Sequence, residues 1–452
     1  MDFMAISARL ATALVASCCL VSNAQALTLS DLITELQKHP NVEAARQRLE
    51  AAEFDKSAAD WQRYPALSYQ QGAIGGGGQQ SSIQLSQPLY TFGAIGKSIE
   101  AADLRRSSSE SDVNNVHLAI VDLGIRTYLN ALRHLERAEV NNRSVLEHEK
   151  LAEAMARRLE QQVGTLSDSQ LASNRLTLAQ ADLFESKVQY ERALEILANL
   201  IDRPVGHVNP VIAPHLPFDN EQAFLALAEE KSARISSLRA SSQAQLKDAD
   251  ASRARLKPQV VLVAEEVQNN VPTDFRDSRL IAYLQYQPGA GLSALSSANA
   301  LRRRAMAADS EARASVKELQ QQVKQLWGEI LVSSQLVEKL GSIQQSNREI
   351  VDSFYKQFQA GKRSWVDVLN GQRELTQSEL SVVDNRYRLL TAQFQALSLI
   401  NANTADKLAS KPGRENVEPL PGLTINRQVK QDGWVVYEMQ ESPDKRSSNE
   451  TP

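Results

Sequence analysis

Two long stretches of this chain contain no proline: residues 89–203, a run of 115, and residues 289–411, a run of 123, although fifteen prolines are spread over the rest. An interior proline costs a helix about 3 kcal/mol, because it removes an N–H donor and collides with the preceding turn. The two stretches are therefore room for helices far longer than the roughly 11–12 residues usual in globular domains. A chain of 452 residues would ordinarily be read as about three domains; these tracts argue instead for a few very long elements. The formal net charge of -4 disfavours a nucleic-acid partner, which normally calls for a basic excess.

Residues 1–26 read as a secretory signal. Arg9 gives a thin positive start, Leu10 to Val21 an apolar run, and Ala24-Gln25-Ala26 a small-x-small cleavage site. That run is too short to cross a bilayer as a helix, which takes about 20 residues. Both cysteines, Cys18 and Cys19, fall inside it, so cleavage after Ala26 leaves no thiol. Val15-Ala16-Ser17-Cys18 offers a competing lipoprotein box that would keep Cys18 as a lipidated N-terminus. No other apolar stretch nears 18 residues, so a membrane-spanning part would have to be built from strands.

The chain repeats one order of elements. Residues 27–215 hold a helical stretch with Ser30 as N-cap, a β-hairpin over 66–92 and long helices turning at a tip near 164–168. Residues 216–405 hold a helical stretch from Asn220, a hairpin over 259–288 and long helices with a tip near 361–367. Three markers recur: Pro65 and Pro258 are 193 apart, Gln87-Pro88 and Gln287-Pro288 are 200 apart, and Gly164 and Gly361 are 197 apart. Residues 406–452, with five prolines, read as an irregular tail that could join an equatorial region. In the strands Ile83, Leu85 and Leu89 oppose Ser82, Gln84 and Ser86, while Leu280, Ala282, Leu284 and Tyr286 oppose Arg279, Ile281, Tyr283, Gln285 and Gln287. One apolar and one Gln-rich face fits a barrel wall between lipid and water, and equally a soluble hairpin half-buried on a helix. Four strands cannot close a barrel, so the first reading needs several copies.

Helical seams follow each hairpin: Val121, Ile125, Tyr128 and Leu132, then Leu183, Tyr190, Leu194 and Leu197; in the second half Leu319, Val323, Leu326 and Ile330, then Val383, Tyr387, Leu390, Phe394 and Leu397. About 70 residues separate Gly93 from Gly164, or roughly 105 Å of helix. At each tip glycine suits the reversal and serine caps the returning helix.

In these features the sequence resembles the TolC family of outer-membrane efflux and secretion channels over residues 28–405. The resemblance rests on the duplicated order, on Gln87-Pro88-Leu89-Tyr90-Thr91-Phe92-Gly93, on the first tip Val163-Gly164-Thr165-Leu166-Ser167, and most specifically on Gly361-Lys362-Arg363-Ser364-Trp365-Val366-Asp367-Val368-Leu369. It implies a mainly α fold with a small β part. Internally duplicated helical hairpins would form a periplasmic tunnel, and a homotrimer would share a twelve-stranded transmembrane barrel in the outer membrane of a Gram-negative cell. It also implies partners: outer-membrane lipid, a periplasmic adaptor docking on Gly164, Thr165, Leu166, Ser167, Gly361, Lys362 and Ser364, and an inner-membrane transporter. Asp367 matches the first aspartate of the family's aperture ring, and Arg363 the tip arginine that holds the closed state. The next ring position is Asn370, and Phe358 replaces a tyrosine of the closing network. With glycines aligned, the first-repeat counterpart of Asp367 is Gln170. Length and tips are nearer the type I secretion members that export large adhesins, the agglutination or LapE-like group, which work with an ATP-binding cassette transporter.

Little else in the chain carries chemistry. The six histidines, His39, His117, His134, His148, His207 and His215, show no i, i+4 pair, so no metal site or cofactor is expected. Gly75 to Gly78 lacks the lysine and helix start of a phosphate loop and reads as a hairpin tip. Arg302-Arg303-Arg304 is either a solvated helix face or a contact for lipid phosphates. The sequence expectation is thus a passive, non-enzymatic conduit for type I secretion. Small-molecule efflux and a coiled-coil envelope scaffold or adaptor without a pore stand as alternatives.

Overall fold

The computed structural model describes residues 26–74, 78–270, 274–286 and 293–401, and the backbone of 424–429 and 435–440. The signal segment with its two cysteines, Gly75–Gly77, Pro272-Thr273, Gln287-Pro288 and most of the tail lie outside the described residues.

A two-residue strand β1 (Ala26–Leu27) leads into α1 (Leu29–Leu36) and α2 (Pro40–Trp61). The first helix is capped by Thr28, not by the expected Ser30: the Thr28 hydroxyl accepts the Asp31 N–H at 3.1 Å. Pro40 starts α2 at the first-turn position, where its missing N–H costs nothing. Strands β2 (Ala66–Ile74) and β3 (Gly78–Tyr90) form a hairpin. Helix α3 (Ala94–Glu160) then runs for 67 residues and α4 (Leu166–Ile201) returns for 36. After β4 (His207–Val208) the order repeats: α5 (Glu221–Lys231), α6 (Ala233–Ala254), β5 (Gln259–Asn270), β6 (Asp274–Gln285), α7 (Ser293–Gln359) with 67 residues and α8 (Trp365–Leu399) with 35. At 1.5 Å per residue α3 and α7 are each about 100 Å long. In a separate unit, 409–452, β7 (Thr424–Val429) and β8 (Val435–Gln440) pair antiparallel within the tail expected to be irregular.

The duplication has a measurable register. From α2 to α6 every boundary shifts by 193 residues; from α3 to α7, and from Leu166 to Trp365, it shifts by 199. The six extra residues of the second copy lie in its hairpin and the connection to α7. The seams read from the sequence are buried: Val121, Ile125, Tyr128 and Leu132 on α3, Leu194 and Leu197 on α4, and Val383, Tyr387, Leu390 and Phe394 on α8 share one core. Leu319, Val323 and Ile330 join Phe224 and Leu397 in another. One polar group secures the midsection. The buried Tyr128 hydroxyl accepts the Asn209 N–H at 2.9 Å and lies 2.8 Å from Leu27 O, clamping β1 and β4 to α3.

The four strands form one antiparallel sheet in the order β2-β3-β5-β6, leaving β2 and β6 as edges. Opposed residues in an antiparallel pair share a face. Leu67 faces Leu85, Leu85 faces Ala264, and Ala264 faces Leu280. On this apolar row Leu67 is 72% and Leu280 68% exposed. The opposite face carries Ser68, Gln84, Glu265 and Arg279 in register, with Arg279 Nε donating to Glu265 at 2.8 Å. Pro88 stands inside β3, where the register against β5 shifts between Pro88 and Tyr90, so its missing donor falls at an irregularity. Trp61, Tyr64, Tyr90 and Tyr286, all exposed, gather where sheet passes into helix.

Candidate functional site at the hairpin tips

The ends of α3 and α7 are built alike but with different residues. Both helices close with a left-handed residue after the last turn: Gln162 at φ 60° in the first tip, Gly361 at φ 71° in the second. Val163 N–H then bonds Arg158 O at 3.0 Å, and Lys362 N–H bonds Gln357 O at 2.9 Å. Gly164 is therefore not the reversal point. It is small for another reason: a Cβ there would sit 3.1 Å from Arg158 Cβ and 3.2 Å from the Arg158 carbonyl carbon. The returning helices are capped by Thr165, whose hydroxyl accepts the Asp168 N–H at 3.1 Å, and by Ser364, which accepts the Val366 N–H at 3.2 Å. Aligned on these caps, Leu166 corresponds to Trp365 and Asp168 to Asp367. The glycine alignment that assigned Gln170 as the counterpart is off by two residues, and both repeats place an aspartate in the first turn of the returning helix.

The two tips are joined. Trp365, buried, donates its indole N–H to Asp168 at 3.1 Å, and the Thr165 hydroxyl donates to the same carboxylate at 2.8 Å. These bonds, Thr165 first, hold the Asp168 pKa below the usual carboxylate range. Beneath them Leu151, Met155, Ala172, Val368 and Leu369 form a small core with Trp365. Arg363 stacks its guanidinium 3.7 Å from the Phe354 ring centre and places Nε 3.3 Å from Asp367, so it ties the end of α7 to the start of α8. Asp367 is half-buried and Asn370 exposed. Gly361, Lys362, Ser364, Thr165 and Ser167 are exposed, as is Leu166 at 61%. The exposed part of the tip thus carries small, polar and apolar groups, while Arg363, Trp365 and Asp168 fasten it from behind.

A second fastening, unmarked in the sequence, lies further along α8. Glu379, with its side chain only 8% exposed, receives Arg143 of α3 at 3.2 Å and Arg348 of α7 at 2.7 Å. Arg137 meets Asp384 at 2.6 Å, the Tyr387 hydroxyl donates to Glu136 at 2.6 Å, and Arg386 also pairs with Glu136. Arg143, Arg137 and Glu136 stand more than two hundred residues from their partners on α8, and such pairs leave no local signal. Burial lowers the pKa of His117, His134 and His148 on α3, that of His134 to about 4 with help from Arg133 and Arg137.

A duplicated pair of hundred-ångström hairpins beneath a four-stranded sheet with an apolar outer face is a specific arrangement, and the comparisons match it. Residues 33–202 match the family model described as outer membrane efflux protein. Over that segment the chain is similar to the outer membrane efflux protein family. The match spans the first repeat, and the second repeats its elements under the register above. The efflux-protein domain assigns the chain to the outer membrane. No curated protein matched the sequence. Among solved structures, the outer-membrane channel OprN is similar at 16% identity and TM-score 0.72, covering 83% of this chain and 90% of that one. VceC from Vibrio cholerae is 16% identical at TM-score 0.69, covering 82% and 95%. The MtrE outer membrane channel of Neisseria gonorrhoeae, solved in its open state, is 17% identical at TM-score 0.67, covering 84% and 88%. At these identities the likeness is one of fold.

Proposed function

We propose that three copies of this chain close one barrel of twelve strands in the outer membrane, and that their hairpins continue it as a tunnel for export. The observation that carries this reading is the sheet: its row Leu67, Leu85, Ala264 and Leu280 is apolar and largely exposed, and both edges, β2 and β6, are unpaired among the described residues. Unpaired strand edges are not tolerated in lipid, so closure must come from further copies. The conduit is passive and not an enzyme, since nothing in this reading requires a bond to be made or broken. A periplasmic adaptor docks on the tips through Val163, Leu166 and Lys362, and an inner-membrane transporter supplies the cargo.

The finer reading is type I protein secretion with an ATP-binding cassette transporter, supported by the tip sequence Gly361 to Leu369. Small-molecule efflux is the second reading, favoured by the description of the matched family. Crosslinking at Leu166 in cells, followed by purification of what is attached, separates them. Recovery of an adaptor with an ATP-binding transporter is expected. A proton-driven transporter would replace secretion by efflux, and an absence of any envelope partner would refute tip docking.

A further inference from the structure

The protomer makes one helix seam internally and leaves the two halves of an equivalent seam open at its edges. Helices α2, α3, α6 and α7 form a row in which α3 packs on both α2 and α6, and α6 on α7. The row begins with α2 and ends with α7, just as the sheet begins with β2 and ends with β6. In the internal seam Arg105 of α3 pairs with Asp248 of α6, and the Ser108 hydroxyl bonds to Ser237 O at 2.9 Å. The register carries this seam onto the two outer helices. Adding 199 to Arg105 gives Arg304 on α7, and subtracting 193 from Asp248 gives Asp55 on α2. Arginine and aspartate recur at the corresponding places, both exposed and neither in an ion pair among the described residues.

We propose that α7 of one subunit packs on α2 of the next in the geometry of the α3–α6 seam, with Arg304 paired to Asp55 of the partner subunit. This rests on the trimeric reading above and adds the residues that join the subunits. Two further observations agree with it. The helices approach closely at α3–α6 because the facing positions are small: Ala101 is fully buried there. Their counterparts, Ala300 and Ala307 on α7 and Ala51 and Ala58 on α2, are small as well and are exposed in the protomer. Transferring the Ile83–Glu266 pairing of β3 and β5 in the same way sets Ala282 of β6 opposite Ala73 of the partner subunit. By alternation both lie on the face of Leu67 and Leu280, so the transferred register keeps every face; a shift of one residue would invert them. No transferred pair opposes like charges: Lys247–Glu100 becomes Phe54 against Asn299, and Lys97–Asp250 becomes Ser57 against Ser296. Phe54, 68% exposed in the protomer, is covered in the assembly. Arg304 thereby takes a protein partner in place of a lipid phosphate.

The test is the lifetime of the detergent-solubilised trimer at raised temperature, followed on native gels. An exposed ion pair is worth a factor of up to about five, and the trimer has three such seams. Arg304→Glu and Asp55→Arg are each expected to shorten the lifetime by about fivefold or more, and the double variant to return it to within about twofold of the parent. Arg302→Glu, off the seam, is expected to change it less than twofold. The milder Arg304→Gln and Asp55→Asn cycle should show the same coupling if a reversed charge blocks assembly. A parent that is trimeric but shows no coupling in either cycle overturns this contact alone. A parent that is monomeric overturns the trimeric reading and this contact with it.

Discussion

Replacing Glu379 by Gln should loosen α8 from both its neighbours. Its two carboxylate oxygens serve two different helices, Oε2 facing Arg143 of α3 at 3.2 Å and Oε1 facing Arg348 of α7 at 2.7 Å. Glutamine keeps the volume and one acceptor, so packing is nearly unchanged and the loss is electrostatic. A hydrogen bond to a charged group contributes about 1.5–3 kcal/mol, whereas an exposed ion pair contributes about 0.2–1 kcal/mol. Here the carboxylate is buried but the arginine side chains are 55% and 49% exposed, so both can turn to water once it is gone. Each contact then falls near the lower range, and the pair together is worth about 2 kcal/mol. That corresponds to a roughly 30-fold rise in local opening, since 1.4 kcal/mol is a factor of ten. Hydrogen exchange of peptides covering residues 370–390 reads this directly. Glu379→Gln is expected to exchange roughly 30-fold faster there while α1 and the core around Tyr128 stay as they were. Equal exchange in variant and parent would refute the assignment, and a uniform increase along the chain would mean that Glu379 supports the whole fold instead of the α8 attachment.

At the tip, Trp365→Ala should cost about 3 kcal/mol of local stability by emptying the small core it fills with Leu151 and Met155, whereas Trp365→Phe, which loses only the bond to Asp168, should cost far less; equal protease sensitivity of the two would contradict this. Asp367→Ala should lower cation selectivity in planar bilayers, and Arg363→Ser should raise both conductance and selectivity, because Arg363 offsets Asp367 and ties α7 to α8; selectivity indifferent to both removes Asp367 from the constriction. His134 has a folded-state pKa of about 4 against 6.5 for the free side chain, so the unfolded chain binds the proton first. Its contribution to stability is intact above pH 6.5 and is lost as pH falls toward 4, by at most about 3 kcal/mol. Thermal melts of His134→Gln should therefore fall less steeply than the parent's over that window, and parallel curves would exclude it.

How far the sequence could be read follows from the range of each signal. The proline-free tracts anticipate α3 and α7 because a helix breaker acts where it stands. Val121, Ile125 and Tyr128 were legible as core because a helical period is local. The strand faces, Ile83 and Leu85 against Ser82 and Gln84, follow from alternation alone. Other features were hidden because one residue type can serve two ends. Gly164 looked like the reversal, yet Gln162 takes the left-handed turn and Gly164 answers a close approach of Arg158. That choice displaced the tip register by two and concealed the equivalence of Asp168 and Asp367. The fastening of α8 through Glu379, Asp384 and Tyr387, and the clamp of Tyr128 on Asn209, join residues distant in the chain and needed the fold before they could be seen.

Under the proposed function, this chain forms a channel by closing its sheet with other copies of itself. Single-channel recording from the detergent-extracted, outer-membrane protein in planar bilayers tests it most directly. Discrete, reproducible conductance steps are expected, larger or more frequent in Arg363→Ser than in the parent. Bilayers that stay silent with both proteins at concentrations where each is recovered intact and membrane-inserted would contradict it.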